Sequence, residues 1–166
     1  MLLEGSCHCG AVRFNVESTT PYPYMRCYCS ICRKTGGGGG YAINIMGDAK
    51  TLEVEGQEYL NVYQALVPDP EQEGKLKPSE ARRHFCKQCG SALYLYDPTW
   101  PDWVYPFASA IDTPLPKSPE ITHIMLDFAA PWVNVPRGPR DTHFPGYPDE
   151  AILDWHNRHS LMVTES

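Results

Sequence analysis

Residues 11–17 alternate cleanly, with Val12, Phe14 and Val16 on one side and Arg13, Asn15 and Glu17 on the other. That period of two predicts a half-buried strand. Residues 41–45, 52–55 and 59–65 read as further strands. Residues 82–85 form a strand leading into Cys86 and Cys89, and residues 91–96 alternate away from them, so a Cys-x-x-Cys turn sits at the bend of a hairpin. Residues 104–111 and 123–128 complete a predicted all-β core. The polar stretch 68–80 predicts an exposed loop, and residues 131–148, with five prolines, predict an irregular wrap. One helix is expected, at about residues 149–162, where Ile152, Trp155, His156 and His159 fall on one face behind Pro148 and a run of acidic residues.

Composition adds bounds to this picture. The length of 166 residues suits one domain, and 42% hydrophobic with 20% charged residues is globular. Sixteen prolines and 13 glycines favour short strands and turns over long helices. The glycine run at residues 36–40 reads either as a linker or as a loop that lets backbone approach a ligand. A net charge of −6 argues against nucleic acid as partner, because phosphate binding needs a basic stripe. No apolar run reaches the roughly 20 residues of a membrane span. The first residues carry no basic and apolar leader pattern, so the expected compartment is cytoplasmic and reducing. An odd count of seven cysteines also does not suit a closed disulfide framework.

The cysteines fall in three groups: Cys7 and Cys9, then Cys27, Cys29 and Cys32, then Cys86 and Cys89. Zinc prefers four ligands in a tetrahedron, and a closed structural site draws all four from protein. The pairing most economical in ligands joins Cys7 and Cys9 to Cys86 and Cys89, tying the N-terminal strand to the later hairpin. The middle group offers three thiolates and no evident fourth ligand, the pattern of a catalytic zinc with an open position. Three thiolates make that zinc a poor Lewis acid but a suitable seat for an incoming soft thiolate. It is also expected to hold its metal less tightly than the closed site. Arg33 and Lys34 adjoin it and could offset charge or hold a substrate carboxylate; a solvated basic pair is the plainer reading.

The remaining candidates carry weaker signals. His8 and His84 stand nearest by motif as a fourth ligand, yet His8 should point away from its neighbours' metal and His84 reads as a polar surface residue. His156 and His159 lack a third local ligand, which favours packing or surface roles, and His123 and His143 show no usable pattern. Tyr22, Tyr24, Tyr28, Trp100, Trp103 and Trp132 could line an aromatic pocket, with core and rim packing as the plainer expectation. No carboxylate or histidine is marked as a general acid or base.

Three segments resemble the glutathione-dependent formaldehyde-activating enzyme family, also called the CENP-V/GFA family, of Mss4-like fold. They are Gly5-Ser-Cys-His-Cys-Gly-Ala-Val-Arg-Phe, Arg26-Cys-Tyr-Cys-Ser-Ile-Cys-Arg-Lys-Thr-Gly and Phe85-Cys-Lys-Gln-Cys-Gly-Ser-Ala-Leu-Tyr. The run from His123 to Trp132 is similar to the family's closing strand. The resemblance implies a mainly β, zinc-bound "tent" of short antiparallel strands over residues 1–132, to which residues 133–166 add a Pro-rich wrap and C-terminal helix on the same domain. It implies a structural zinc on Cys7, Cys9, Cys86 and Cys89, and a catalytic zinc on Cys27, Cys29 and Cys32 whose free position meets the glutathione sulfur. The implied reaction is formation of S-hydroxymethylglutathione, a carbon–sulfur lyase activity. The rival readings are a zinc- or glutathione-binding module without turnover and a zinc-assisted enzyme on a larger non-thiol molecule. An interaction protein like the chromosome-associated branch, or a thiol–disulfide protein, fits less well, since basic tails and a βαβ context are missing. A homodimer is left open.

Overall fold

The computed structural model describes residues 1–36 and 38–164. In chain order its strands are β1 (Leu2–Ser6), β2 (Arg13–Glu17), β3 (Met25–Cys27), β4 (Ala42–Ile43), β5 (Gly47–Asp48) and β6 (Glu53–Glu55). They continue with β7 (Leu60–Pro68), β8 (Leu76–Cys86), β9 (Ala92–Tyr96), β10 (Trp103–Pro106), β11 (Ile121–Ile124) and β12 (Asp141–His143). Two α-helices are present among the described residues, α1 (Ser30–Thr35) and α2 (Ile152–Arg158). The protein is mainly β, in three sheets ordered β1-β2-β6, β5-β10-β9-β8-β7 and β12-β11-β3-β4.

The first sheet follows from the alternation that predicted it. Val12, Phe14 and Val16 are buried and β2 pairs antiparallel with β1, Leu3 opposite Val16 and Gly5 opposite Phe14. A side chain on Gly5 would collide with the Phe14 ring and the Ala110 carbonyl, so the two strands need glycine there to close up. Leu3, Phe14, Val16, Ile45, Leu93 and Val104 form the main core between this sheet and the five-stranded one. Burying such side chains stabilises by about 1.5–3 kcal/mol each.

Several boundaries differ from the predicted ones, each for a local reason. The 68–80 loop shrinks to its middle, because β7 runs to Pro68 and β8 starts at Leu76. Both faces of that distal hairpin are largely open to water, so its polar residues show no alternation. The 104–111 strand ends at Pro106 and tightens into a 3₁₀ turn, Ala108–Ala110. The 123–128 strand stops at Ile124, where Met125 takes a left-handed φ of 60° before a 3₁₀ turn at Leu126–Phe128. Only Ala42–Ile43 of the 41–45 segment pairs as a strand, and the terminal helix is shorter than expected at Ile152–Arg158.

The third sheet departs from a purely antiparallel arrangement: β11 runs parallel to both β3 and β12. The wrap therefore contributes a short strand of its own. Trp155 of α2 is buried and stacks on Tyr24 at 3.7 Å between ring centroids. Fully buried His156 accepts the Tyr22 N–H at Nε2 (3.3 Å) and holds the Ile152 carbonyl at Nδ1 (2.8 Å). His159 and Arg158 both reach Glu120 Oε1, at 3.0 and 3.1 Å. These histidines thus pack and pair, as their isolation in sequence suggested. In the glycine run, Gly37 lies outside the described residues, while Gly40 is buried at a φ of 85° beneath Trp132 and Val133.

Candidate metal centre

Two cysteine clusters are assembled by this fold, and both could hold a metal ion. The first gathers Cys7, Cys9, Cys86 and Cys89, with all four sulfurs within 4.8 Å of one another. Cys7 and Cys9 come from the β1–β2 turn, Cys86 ends β8, and Cys89 lies in the β8–β9 turn, where Gly90 sits at a φ of 76°. Cys7 Sγ lies 3.5 Å from Cys9 Sγ, and Cys9 Sγ lies 3.8 Å from Cys86 Sγ. A tetrahedron of thiolates at zinc–sulfur bonds of about 2.3 Å has edges of about 3.8 Å, so this donor set fits zinc. All seven cysteines are free thiols, so no disulfide competes for them. One backbone N–H and one hydroxyl support the sulfurs: Val12 N–H donates to Cys7 Sγ at 3.2 Å, and the Ser91 hydroxyl lies 3.2 Å from Cys89 Sγ. The Ser91 contact pulls the Cys89 thiol down to about 5, which favours the thiolate. His8 is exposed and takes no part, its backbone N–H donating to Ser91 Oγ.

The second cluster brings Cys27, Cys29 and Cys32 within the same 4.8 Å limit. Cys27 ends β3, Cys29 caps α1 and Cys32 lies in its first turn, so one short stretch of chain supplies every sulfur. The cap is a sulfur: Cys32 N–H donates to Cys29 Sγ at 3.3 Å. Contacts with Cys27 and Cys32 hold the Cys29 thiol far down, to about 2, and the same sulfur contacts push Cys27 up. Cys27 and Cys32 are buried while Cys29 is half-exposed, which gives the cluster one open side.

The surroundings of this cluster contain groups that the sequence did not mark. Arg83 of β8 is only 8% exposed, and its Nη2 lies 3.9 Å from Cys32 Sγ. Its Nε has no hydrogen-bond partner among the described residues. A cation this deeply buried needs a counter-charge, and a thiolate cluster supplies one. Nothing in the run Arg82-Arg83-His84 separates Arg83 from its exposed neighbour. Behind the cluster, the hydroxyl of fully buried Tyr28 lies 2.8 Å from Nδ1 of equally buried His123. His123 stacks on His143 with centroids 4.8 Å apart, and its Nε2 stands 4.0 Å from Asp141 Oδ1. Burial first, then the fields of His143 and Arg26, lower His123 to about 4, so it is neutral at pH 7.

The wrap also reaches the cluster. Phe144 packs on the group formed by Cys27, Cys32, Ala42, Phe107 and Ile124, held there by its N–H to the His123 carbonyl at 2.8 Å. Tyr147, further along the wrap, is largely exposed, and after desolvation the field of the three cysteine sulfurs adds to the upward shift of its phenol. Arg33 and Lys34 occupy the last turn of α1, Arg33 half-buried and Lys34 exposed. His84 is not a free surface residue: it is half-buried and stacks on Tyr94 at 4.4 Å, which desolvates it. Of the six aromatics proposed as a pocket, Tyr22 and Tyr24 pack on α2, Tyr28 is internal, and Trp100 and Trp132 are exposed. Trp103 lines a separate hollow beside Met1 and Glu17.

A model of the family described as glutathione-dependent formaldehyde-activating enzyme matches residues 2–126. A Halomonas elongata protein named "Putative glutathione-dependent formaldehyde-activating enzyme" is 58% identical over 161 residues, covering 97% of this chain and 98% of its own. The fold is similar to a crystal structure of a Rhodobacter sphaeroides protein, at a TM-score of 0.52 and 26% identity, over 72% of this chain and 98% of that one.

Proposed function

The chain belongs to the glutathione-dependent formaldehyde-activating enzyme family, and from that premise we propose that it is a zinc-dependent carbon–sulfur lyase acting on glutathione adducts of small aldehydes. The observation that carries this reading is the second cluster: three sulfurs from one stretch of chain, open on the Cys29 side, with a buried guanidinium beside Cys32. In the forward direction the thiol sulfur bonds to the carbonyl carbon and the S–H proton passes to the carbonyl oxygen, with no net oxidation. Zinc held by Cys27, Cys29 and Cys32 would bind the thiol as thiolate at neutral pH and orient it toward the aldehyde.

The chain's own groups would do the rest. Arg83 offsets the negative charge of three thiolates without exposing them to water. The Cys29 cap fixes the direction in which α1 leaves the cluster, which sets where Arg33 and Lys34 meet a substrate carboxylate. The Tyr28–His123 bond pins the backbone between Cys27 and Cys29 from behind. Cys7, Cys9, Cys86 and Cys89 would hold the structural zinc. Residues 133–166 would belong to the same domain as residues 1–132, through β12 and α2. The thiol-rich clusters suit a reducing, cytoplasmic setting.

The test is the rate of S-hydroxymethylglutathione formation from formaldehyde and glutathione, followed by exchange spectroscopy, together with zinc per chain. Wild type should carry two zincs and accelerate the reaction. Cys29→Ser should keep one zinc and lose at least about 100-fold in kcat/KM. Wild type with two zincs and no acceleration would leave the binding-module reading in place instead.

A further inference from the structure

A largely apolar recess of about 360 Å³ lies beside the three-cysteine cluster, its lining including Tyr63, Arg83, His84, Phe85, Ala92 and Phe107. Phe107 and Ala92 also pack on the group that contains Cys27 and Cys32, so recess and cluster share a wall. Arg83 stands at the junction, lining the recess while its Nη2 reaches toward Cys32. Its side chain is more than nine-tenths buried and its Nε lacks a partner among the described residues, the mark of a donor waiting for a ligand acceptor.

The chemistry of the lining decides what fits. Glutathione itself is charged at both ends, and placing either end against this carbon-lined wall would strip it of water without enough partners. The hydroxymethyl group of the formaldehyde adduct is a single carbon and would leave most of the space unfilled. Apolar recesses of this size, with one or two polar groups at the mouth, ordinarily hold an apolar body oriented by those groups.

We propose that the recess receives the carbonyl-derived substituent of the adduct, and that the substrate class includes thiol adducts of aryl or branched aliphatic aldehydes. This rests on the lyase reading above. The three attachments of the adduct carbon then have three destinations: sulfur at the cysteine cluster, oxygen at Arg83, and the apolar substituent in the recess. The reaction balances as before, with the carbon–sulfur bond formed, the thiol proton delivered to oxygen, and no redox partner required.

The test separates binding from turnover. Calorimetry on the zinc-loaded full chain would compare S-benzylglutathione with S-methylglutathione, two stable thioethers. S-benzylglutathione should bind on the order of tenfold tighter or more, as hydrophobic pocket discrimination allows. Ala92→Leu, which fills the recess, should erase the difference. Should that variant fail to fold, Tyr63→Ala at a half-exposed position should weaken S-benzylglutathione selectively. Equal affinities in wild type, or a preference that survives in folded Ala92→Leu, would overturn the proposal, even if formaldehyde is turned over. A preference that follows the recess but comes without turnover of any aldehyde would instead uphold the subsite and defeat the lyase reading.

Discussion

The two cysteine clusters use one ligand chemistry in opposite settings. Cys7 and Cys9 meet Cys86 and Cys89 across the fold, joining two hairpin turns, with Cys9 and Cys89 exposed at the surface. Cys27, Cys29 and Cys32 arise from one local stretch, with buried Arg83 beside Cys32 and buried Tyr28, bonded to His123, between Cys27 and Cys29 in the chain. Around the four-sulfur cluster the support is turn backbone and Ser91. The difference teaches that thiolate number alone does not set two such clusters apart. What distinguishes them here is whether the ligands cross-link distant parts of the chain and whether a buried counter-charge stands ready beside the sulfurs.

The sharpest way to break this comparison is to remove a ligand from the cross-link. Cys86→Ser should cost on the order of 5 kcal/mol or more, enough to abolish a cooperative thermal transition in a domain of ordinary stability. Cys29→Ser should melt within a few degrees of wild type. Thermal unfolding of both variants, with zinc content measured beside it, checks the contrast; the reverse ranking would exchange the two roles.

A smaller effect is expected at the counter-charge. Arg83→Gln removes the buried cation beside Cys32, and kcat/KM for the glutathione adduct should fall about 10–100-fold, the scale of a charged hydrogen bond. Arg83→Lys should recover part of it, while zinc at the four-sulfur cluster stays at one per chain. Unchanged kinetics in Arg83→Gln would reduce this residue to packing.

Smallest is the pH dependence of the support behind the cluster. His123 is held neutral, with a folded pKa of about 4 against 6.5 unfolded. Its contribution is therefore fully present above pH 6.5 and is lost as pH falls toward 4, up to about 3 kcal/mol, and buried His156 acts in the same direction. Denaturant unfolding at pH 7 and pH 4.5 should show the decline in wild type and a shallower one in His123→Gln. Equal slopes in the two proteins would remove His123 from the account.

Much of this was legible in the chain. Paired thiols at short spacing admit few alternatives, and the period of Val12, Phe14 and Val16 marked the buried face of β2 and of the residue leading into it. Other features left no local trace. Helix α1 is six residues capped by a cysteine sulfur, with no Ser, Thr, Asp or Asn at its N-cap to announce it. Strand β1 carries a single buried apolar side chain, Leu3, and depends on the bare, buried Gly5 opposite Phe14. Arg83 and His123 were illegible for a deeper reason. Their partners lie far off in sequence, Cys32 at 51 residues and Tyr28 at 95, so no window could connect them. The parallel pairing of β11 with β3 is likewise a non-local fact that strand periodicity cannot contain.

The separation between the halves of the four-sulfur cluster bears on the order in which the protein can be completed during synthesis. Cys9 and Cys86 are 77 residues apart, so that site cannot close until the β8–β9 hairpin has left the ribosome. The Cys27–Cys32 stretch needs no later residue for its sulfurs and can capture metal as soon as it emerges. On the two-zinc reading proposed above, nascent chains would load the three-sulfur cluster before the four-sulfur one, with Cys7 and Cys9 standing free nearby in the meantime. Correct maturation would then depend on that early ion staying with its own three sulfurs while the rest of the chain arrives.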